Sequence, residues 1–447
     1  MDLLKESIKK LYLKFLLPSL FSALVTTIYS FVDTIAIGQG VGTDGAAACA
    51  IIFPIMGVAS LFGFLCGIGG SVRFGKARGE GKPEKANAYY TASLIMALAL
   101  TIVVWALTAL FRTQLFTLFG ADESLMPLVL EYGNWIILTF PAFILSAYLT
   151  CMVRCDGAPN VAMNAVIAGG VFNVFGDWFL VFPMDMGMAG AAIATAGGTV
   201  IQVIVLCAFL FTKKSSLKLV KPWNFSAAFF KSLTAGFSAS VLEFAFIVLT
   251  CILNNQIMRY GGKTALAVFG VVLTCSGMFQ HIYTGVGQAI QPVAATNYGA
   301  GQIQRIFSLR RISAWTVIFL GICFMMSGIL FPTQIMQFFV DTTPEVLDAA
   351  PAIMRTYFIS FLFMGVNIWA TFYFQSIMQT RISALLTILR GIVLSSALLF
   401  LLPLWMGIDG VWWAMVLTEG IVTAVTWFCI LSSNRKMQQK LAAPNRT

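Results

Sequence analysis

Charge is what this chain has least of. Only 10% of its 447 residues are Asp, Glu, Lys or Arg, whereas 59% are hydrophobic. A soluble domain of ordinary composition carries about a quarter charged residues, so that class is excluded. Histidine is almost missing, with His281 alone, which argues against a zinc or haem centre. Nine cysteines are scattered through apolar segments, and none forms a Cys-x-x-Cys pair. Cys151 and Cys155 share one helix face but have no accompanying ligands, so they read as small packing residues. A nucleophile–base constellation is also missing, and no enzyme is expected. Little chain is left between the apolar runs, which leaves no room for a soluble catalytic domain.

Those runs are what is there. Twelve stretches are long and apolar enough to cross a bilayer: 13–37, 47–72, 87–111, 129–153, 161–182, 187–211, 233–258, 265–291, 312–335, 354–379, 382–405 and 410–433. The first follows a basic amphipathic start and is too long for the apolar part of a signal peptide, so no cleaved leader is expected. The formal net charge is +10. With both termini inside, 23 of the 28 lysines and arginines fall on inner stretches. Outer loops keep only Arg112, Arg259 and Lys263, and Arg355 and Arg390 lie within segments. The positive-inside rule therefore places the N and C termini in the cytoplasm. The basic excess reads as an orientation signal, and no nucleic-acid partner is expected. The implied location is the cytoplasmic (inner) membrane, multi-pass, with lipid bilayer around a monomer. The glycosylation-type triplets Asn224-Phe-Ser226 and Asn445-Arg-Thr447 fall on the inner side and are discounted.

The chain repeats itself. Pro183, Gly187, Gly190 and Ala194 recur as Pro403, Gly407, Gly410 and Ala414, displaced by 220 residues. Gly79 and Gly81 recur as Gly299 and Gly301. Six segments per half is an even number, so the halves keep one orientation, as parallel repeats about an axis along the membrane normal. The expected class is an all-α integral membrane protein of two six-helix lobes related by a pseudo-two-fold repeat. The lobes are expected at 1–211 and 232–433, with a lysine-rich cytoplasmic linker at 212–231 and a cytoplasmic tail at 434–447.

Ionisable groups inside a bilayer cost roughly 2.5–3.5 kcal/mol each on insertion scales and are functional by default. Four carboxylates fall inside segments: Asp33, Asp177, Glu243 and Glu419. Asp33 and Asp177 both lie toward the outer ends of outward-running helices. Asn173 is one turn below Asp177 on the same face, and Thr195 enters from outside to a comparable depth. Two carboxylates, an amide and a hydroxyl make an all-oxygen pocket, which holds either a proton shared by two acids or a hard cation such as Na+. Displacing by 220 puts Leu253, Val393 and Ala397 at the matching places, so the halves are chemically unequal. Glu243 stands near mid-depth on the seventh segment and reads either as a contact for cationic substrates or as a packed structural acid. Arg390 and Glu419 are close enough in depth to form a structural ion pair. His281 reads as a proton relay or as a bonded structural side chain.

Motif order along the chain resembles the multidrug and toxic compound extrusion family, MATE. The resemblance covers all twelve segments. It rests on Pro18 followed by Val32-Asp-Thr-Ile-Ala-Ile-Gly38, on Gly67-Ile-Gly-Gly-Ser-Val-Arg-Phe-Gly-Lys-Ala-Arg-Gly-Glu-Gly81, on Asn173-Val-Phe-Gly-Asp177, and on Gln291-Pro-Val-Ala-Ala-Thr-Asn-Tyr-Gly299. It implies efflux of organic compounds driven by inward H+ or Na+, with no other cofactor. It also implies that Asp33, Asn173 and Asp177 form the cation-coupling site, with Thr195 and Tyr29 beside them. Bending at the position of Pro18 is proposed in part of the family to couple protonation to release. Proline in a helix also kinks it without any such role. Some members pair the acid of the seventh helix with one on the tenth, where this chain has Asn367 and Thr371. A second cation site is therefore not expected. A lipid-linked precursor flippase of the same superfamily is the alternative. Its anionic substrate calls for several cavity arginines, and the segments hold only Arg355 and Arg390.

Overall fold

A computed structural model describes residues 2–221, 225–339 and 343–442. Asn224, Asn445 and the tail beyond 442, with Arg446, lie outside the described residues, as does the 222–224 part of the linker. The described chain is helical apart from short connections and the non-helical stretch 211–221, with no strand among those residues. In chain order the long helices are α1 Ile8–Gly40, α2 Thr43–Gly79, α3 Pro83–Leu110, α4 Met126–Cys155, α5 Pro159–Val181 and α6 Gly187–Leu210. A single helical run, Phe225–Gly299, follows. Gly262 breaks it with φ 66° and ψ −163°, giving two arms, α7 (225–261) and α8 (263–299). Then come α9 Ile303–Leu330, α10 Pro344–Ser376, α11 Thr380–Met406 and α12 Ile408–Ala442.

Each helix is long enough to span about 30 Å of hydrocarbon at 1.5 Å per residue. Several outrun the apolar segment that marks them. Thus α2 continues through Arg73, Lys76 and Arg78 to Gly79, because a helix keeps its backbone bonded as it leaves the bilayer. Large apolar side chains such as Phe211 and Trp405 stand exposed, as a lipid-facing surface requires. The protein is a multi-pass membrane protein.

Two compact units are distinguishable, one built chiefly from Leu13–Glu243 and the other from Phe244 onward, the latter also taking Ser7–Tyr12. In the first unit α2 packs along α4, and α5 along α6. Its core has one cluster around Ile51, Phe116, Tyr132 and Phe140, and another around Phe74, Tyr90, Tyr148 and Leu217. Small residues set these crossings. A Cβ on Gly67 would lie 3.0 Å from the Tyr148 Cα, and one on Gly70 would lie 2.3 Å from the Ser93 Oγ. The second unit centres on stacked aromatics, with Phe279 and Phe324 centroids 3.8 Å apart.

The repeated glycines have a common structural cause. Gly187 and Gly407 adopt φ 51° and 59°, left-handed values that bring the chain back into the following helix. A Cβ on Gly190 would lie 3.0 Å from the Leu180 backbone, and one on Gly410 would lie 2.6 Å from that of Leu402. The same tight re-entry is built once in each half.

The linker is fastened to the first unit. Asn87 Oδ1 accepts from the Lys218 N–H at 2.9 Å, and Thr91 Oγ1 accepts from the Val220 N–H at 3.1 Å. Asp156, at the end of α4, accepts from the Ser216 N–H at 2.9 Å and also from the Ser216 hydroxyl. Arg78 reaches the same carboxylate at 3.4 Å. Burial pushes the Asp156 carboxyl up from its ordinary value, against the lowering by the Ser216 donors and Arg78.

Candidate functional site

Three helices meet because their facing residues are small. A Cβ on Gly169 of α5 would lie 2.5 Å from the Gly198 carbonyl oxygen of α6, and one on Gly198 would lie 2.6 Å from the Gly169 oxygen. One turn or two higher, a Cβ on Gly176 would lie 2.8 Å from that of Ala194. On the other side of α5, a Cβ on Gly170 would lie 3.0 Å from the Tyr29 ring of α1. Helix backbones therefore approach closely, as small-residue stripes allow in membranes. Polar side chains from all three are brought into one group.

That group is a chain of donors ending on a carboxylate. Asn173 Nδ2 donates to Thr195 Oγ1 at 3.1 Å, and the Thr195 hydroxyl donates to Asp33 Oδ1 at 3.1 Å. Asp33, Asn173 and Asp177 are buried. Both carboxylate oxygens of Asp177 and the Asn173 Oδ1 are buried without a hydrogen-bond partner among the described residues. An isolated buried carboxylate is too costly to persist charged, so it carries a proton or faces a cation. Two carboxylates, an amide oxygen and a hydroxyl also match the oxygen donors that hard cations take. Asp177 opens a π-helical turn, Asp177–Val181, which widens the last turn of α5 and re-aims its side chains.

Tyr29 lies beside Asp33 and within hydrogen-bonding reach of Thr26 and Gln202. Gln202 in turn accepts from the Ser146 hydroxyl at 2.9 Å. Two further neighbours were not singled out from sequence. Tyr132 of α4 is buried, reaches Thr195 with its hydroxyl, and lies within electrostatic reach of both Asp33 and Asp177. Cys49 of α2 lies in the same electrostatic neighbourhood. A depth signal for Tyr132 existed: it stands within about two turns of the outer end of its helix, as Asp33 and Thr195 do.

Among the described residues, Pro18, Glu243 and His281 make no hydrogen bond to this group. Pro18 is buried inside an unbroken α1, and Ser22 Oγ donates to the Pro18 carbonyl at 2.8 Å. The missing proline N–H leaves the turn before it without one backbone bond. Glu243 lies on α7, partly exposed, and makes no hydrogen bond or ion pair among the described residues. His281 is exposed on α8.

Glu419, the other intramembrane acid, is fully engaged. Arg390 Nε meets its Oε1 at 2.6 Å. Asn367 Nδ2 donates to its Oε2 at 2.7 Å and to its backbone carbonyl at 2.9 Å. Thr423 and Thr426 donate to Asn367 Oδ1 at 3.1 and 3.3 Å. Arg390 sits in a second π-helical turn, Leu389–Val393, within α11.

The comparisons with known proteins agree with one another. The family model described as MatE matches residues 18–179 and 239–401. The multidrug export protein MepA of Staphylococcus haemolyticus is 23% identical over 437 residues, which is 97% of this chain and 95% of that protein. A crystal structure of MATE in complex with MaL6 superposes with a TM-score of 0.91 at 21% identity, covering 98% of both chains. An outward-facing multidrug resistance MATE family transporter of the MOP superfamily superposes with a TM-score of 0.89 at 22% identity, over 98% of this chain and 97% of that one.

Proposed function

The chain belongs to the MATE family, and from that membership we propose that it exports small organic compounds in exchange for inward-moving H+ or Na+. Two lobes alternate access to opposite sides of the cytoplasmic membrane, with the N and C termini inside. The single observation that carries coupling to the first unit is Asp177, whose two buried oxygens have no hydrogen-bond partner among the described residues, while the Asn173 amide donates to the Thr195 hydroxyl and that hydroxyl donates to Asp33. A proton or a Na+ ion completes that arrangement. Asp33, Asn173, Asp177 and Thr195 supply the oxygens, and Tyr29 borders them.

Occupancy changes the sum of charge in the pocket by one unit. An occupied pocket is neutral enough to remain closed. An empty one holds two carboxylates that repel each other and draw water, which favours a different packing of α1 against α5 and α6. Pro18 gives α1 the weakened backbone turn such a change needs. The coupling is reciprocal, so whatever cation binding does to substrate affinity, substrate does to cation affinity.

The direct test is dye transport in proteoliposomes holding the full chain, with pH and Na+ gradients imposed separately. Accumulation or release of an organic cation should follow at least one gradient. A dye distribution indifferent to both gradients contradicts antiport.

Glu243 is proposed as a contact for cationic substrates, since it is a carboxylate near mid-membrane with no partner among the described residues. Glu243→Gln should weaken transport of a cationic dye and spare a neutral one in the same vesicles. Equal and unimpaired transport of both removes it from the site.

A further inference from the structure

We propose that the first unit carries a built site for the headgroup of an anionic phospholipid, in the groove between the start of α3, the linker and the first turns of α7. The groove encloses about 1010 Å³ and is lined by Lys82, Lys85, Lys221 and Lys231, against one lining carboxylate, Glu84. Its floor is apolar, formed by Tyr89, Val220 and Ala228. The combination is specific. Four lysines from three separate chain segments line one groove whose apolar lining suits glycerol carbons and the first methylenes of an acyl chain.

The walls are fixed by hydrogen bonds, which sets this groove apart from a loose scatter of surface lysines. Side chains of Asn87 and Thr91 hold the backbone of Lys218 and Val220, so the residue that follows, Lys221, emerges at a set place. Arg73 Nε donates to the Lys231 carbonyl at 3.3 Å and fixes the opposite wall. Below it, α2 and α7 touch backbone to backbone, since a Cβ on Gly69 would lie 2.1 Å from the Ser232 oxygen.

Charge within the groove is unevenly compensated. Glu80 lies 3.8 Å from the Lys82 ammonium and 3.5 Å from that of Lys85. Despite burial, which acts to raise it, Lys76 and Lys85 hold the Glu80 carboxyl below its ordinary value. Among the described residues Lys221 and Lys231 make no ion pair. They are the cations left to meet a phosphate. Phe225, Phe230 and Leu219 stand exposed close by in the chain, at 38%, 62% and 69%. Aromatic and aliphatic side chains beside lysines at a helix end are the make-up of a membrane–water interface, where chains anchor and lysines meet anionic headgroups. The cytoplasmic leaflet is the leaflet concerned, on the orientation proposed above. A lysine-lined pocket next to membrane helices on that side suits a phosphodiester.

The test is native mass spectrometry of the detergent-solubilised full chain, titrated with phosphatidylglycerol or phosphatidylcholine, which reads binding whichever way the protein faces in a membrane. Phosphatidylglycerol should bind with one tight site, and the Lys221→Gln/Lys231→Gln pair should weaken that site about tenfold or more. Lys221→Arg/Lys231→Arg should restore it, and Lys263→Gln, at the first residue of α8, should leave it unchanged. Thermal unfolding of all variants should match the native chain, since these side chains are exposed. Equal retention of phosphatidylcholine, or undiminished phosphatidylglycerol binding in the glutamine pair, overturns the site. Full displacement of the lipid by millimolar inorganic phosphate overturns the lipid as occupant and assigns the groove to free phosphate.

Discussion

In the first unit, the α5 helix carries a π-helical turn at Asp177–Val181, and the acid on it has no hydrogen-bond partner among the described residues. In the second, α11 carries one at Leu389–Val393, and the charge on it, Arg390, is bonded to Glu419 at 2.6 Å. Both halves hold a widened turn with an ionisable side chain, but at different places in the repeat, since Asp177–Val181 displaced by 220 falls at 397–401 and the second turn is Leu389–Val393. The chemistry differs. Glu419 has its charge balanced by a guanidinium and its second oxygen bonded to Asn367. Asp177 has no hydrogen-bond partner among the described residues. A duplicated bundle thus uses a buried carboxylate in two ways. Satisfied by its own chain, it ties three helices together. Left unsatisfied, it is the acid proposed above to take up a proton or Na+.

The largest effect should come from filling the vacant role with an amide. Asp177→Asn and Asp33→Asn are close in shape to the acids and delete the exchangeable charge. Each should reduce gradient-driven transport in proteoliposomes to the level of empty vesicles, at near-normal expression and thermal stability. Normal transport by both would erase the difference between the two halves.

Removing Arg390 sharpens the comparison from the other side. Arg390→Ala strands Glu419 in the interior, and breaking one partner of a buried pair costs about 3–5 kcal/mol. Thermal unfolding in detergent should move down sharply. The double variant Arg390→Met/Glu419→Met should recover much of the loss, because no unpaired charge remains. Sums of the single effects in the double variant would contradict the pairing.

A smaller effect is expected at Tyr132. Tyr132→Phe removes one hydroxyl from beside Thr195, worth about 0.5–1.5 kcal/mol for a net hydrogen bond. The concentration of driving cation needed for half-maximal transport should rise by about two- to tenfold. No shift would place Tyr132 outside the coupling group.

The same comparison shows what could be read from residues alone. Hydrophobic runs mark twelve spans, and the described residues form twelve long helical arms, two of them meeting at Gly262. Depth-matching singled out Asp33, Asn173, Asp177 and Thr195, because depth along a helix follows directly from residue count; hydrogen bonds join Asn173, Thr195 and Asp33, and Asp177 is not bonded to them. Arg390 and Glu419 were paired on the same reasoning and are in contact. Which faces meet is another matter. Asn367 was noted only as a place without an acid, and its bonds to Glu419, Thr423 and Thr426 depend on three helices arriving together. Tyr132 was missed because an aromatic in an apolar helix looks like core until its hydroxyl is seen to have a polar neighbour. The two π-helical turns leave no mark in the periodicity, since one extra residue in a turn is invisible in an all-apolar stretch. The linker's attachment through Asn87, Thr91 and Asp156 was equally hidden, as side-chain to backbone bonds across 60 to 131 residues follow from packing.

One paired measurement separates the two kinds of acid most directly. Thermal unfolding and transport per folded molecule are recorded side by side for Asp177→Asn and Arg390→Ala in the same proteoliposomes. Asp177→Asn should keep the unfolding temperature and lose transport, while Arg390→Ala should lower the unfolding temperature and keep transport in whatever fraction remains folded. The opposite pattern, with Asp177→Asn unstable but active or Arg390→Ala stable but inactive, would contradict the assignment of coupling to the first unit and of structure to the second.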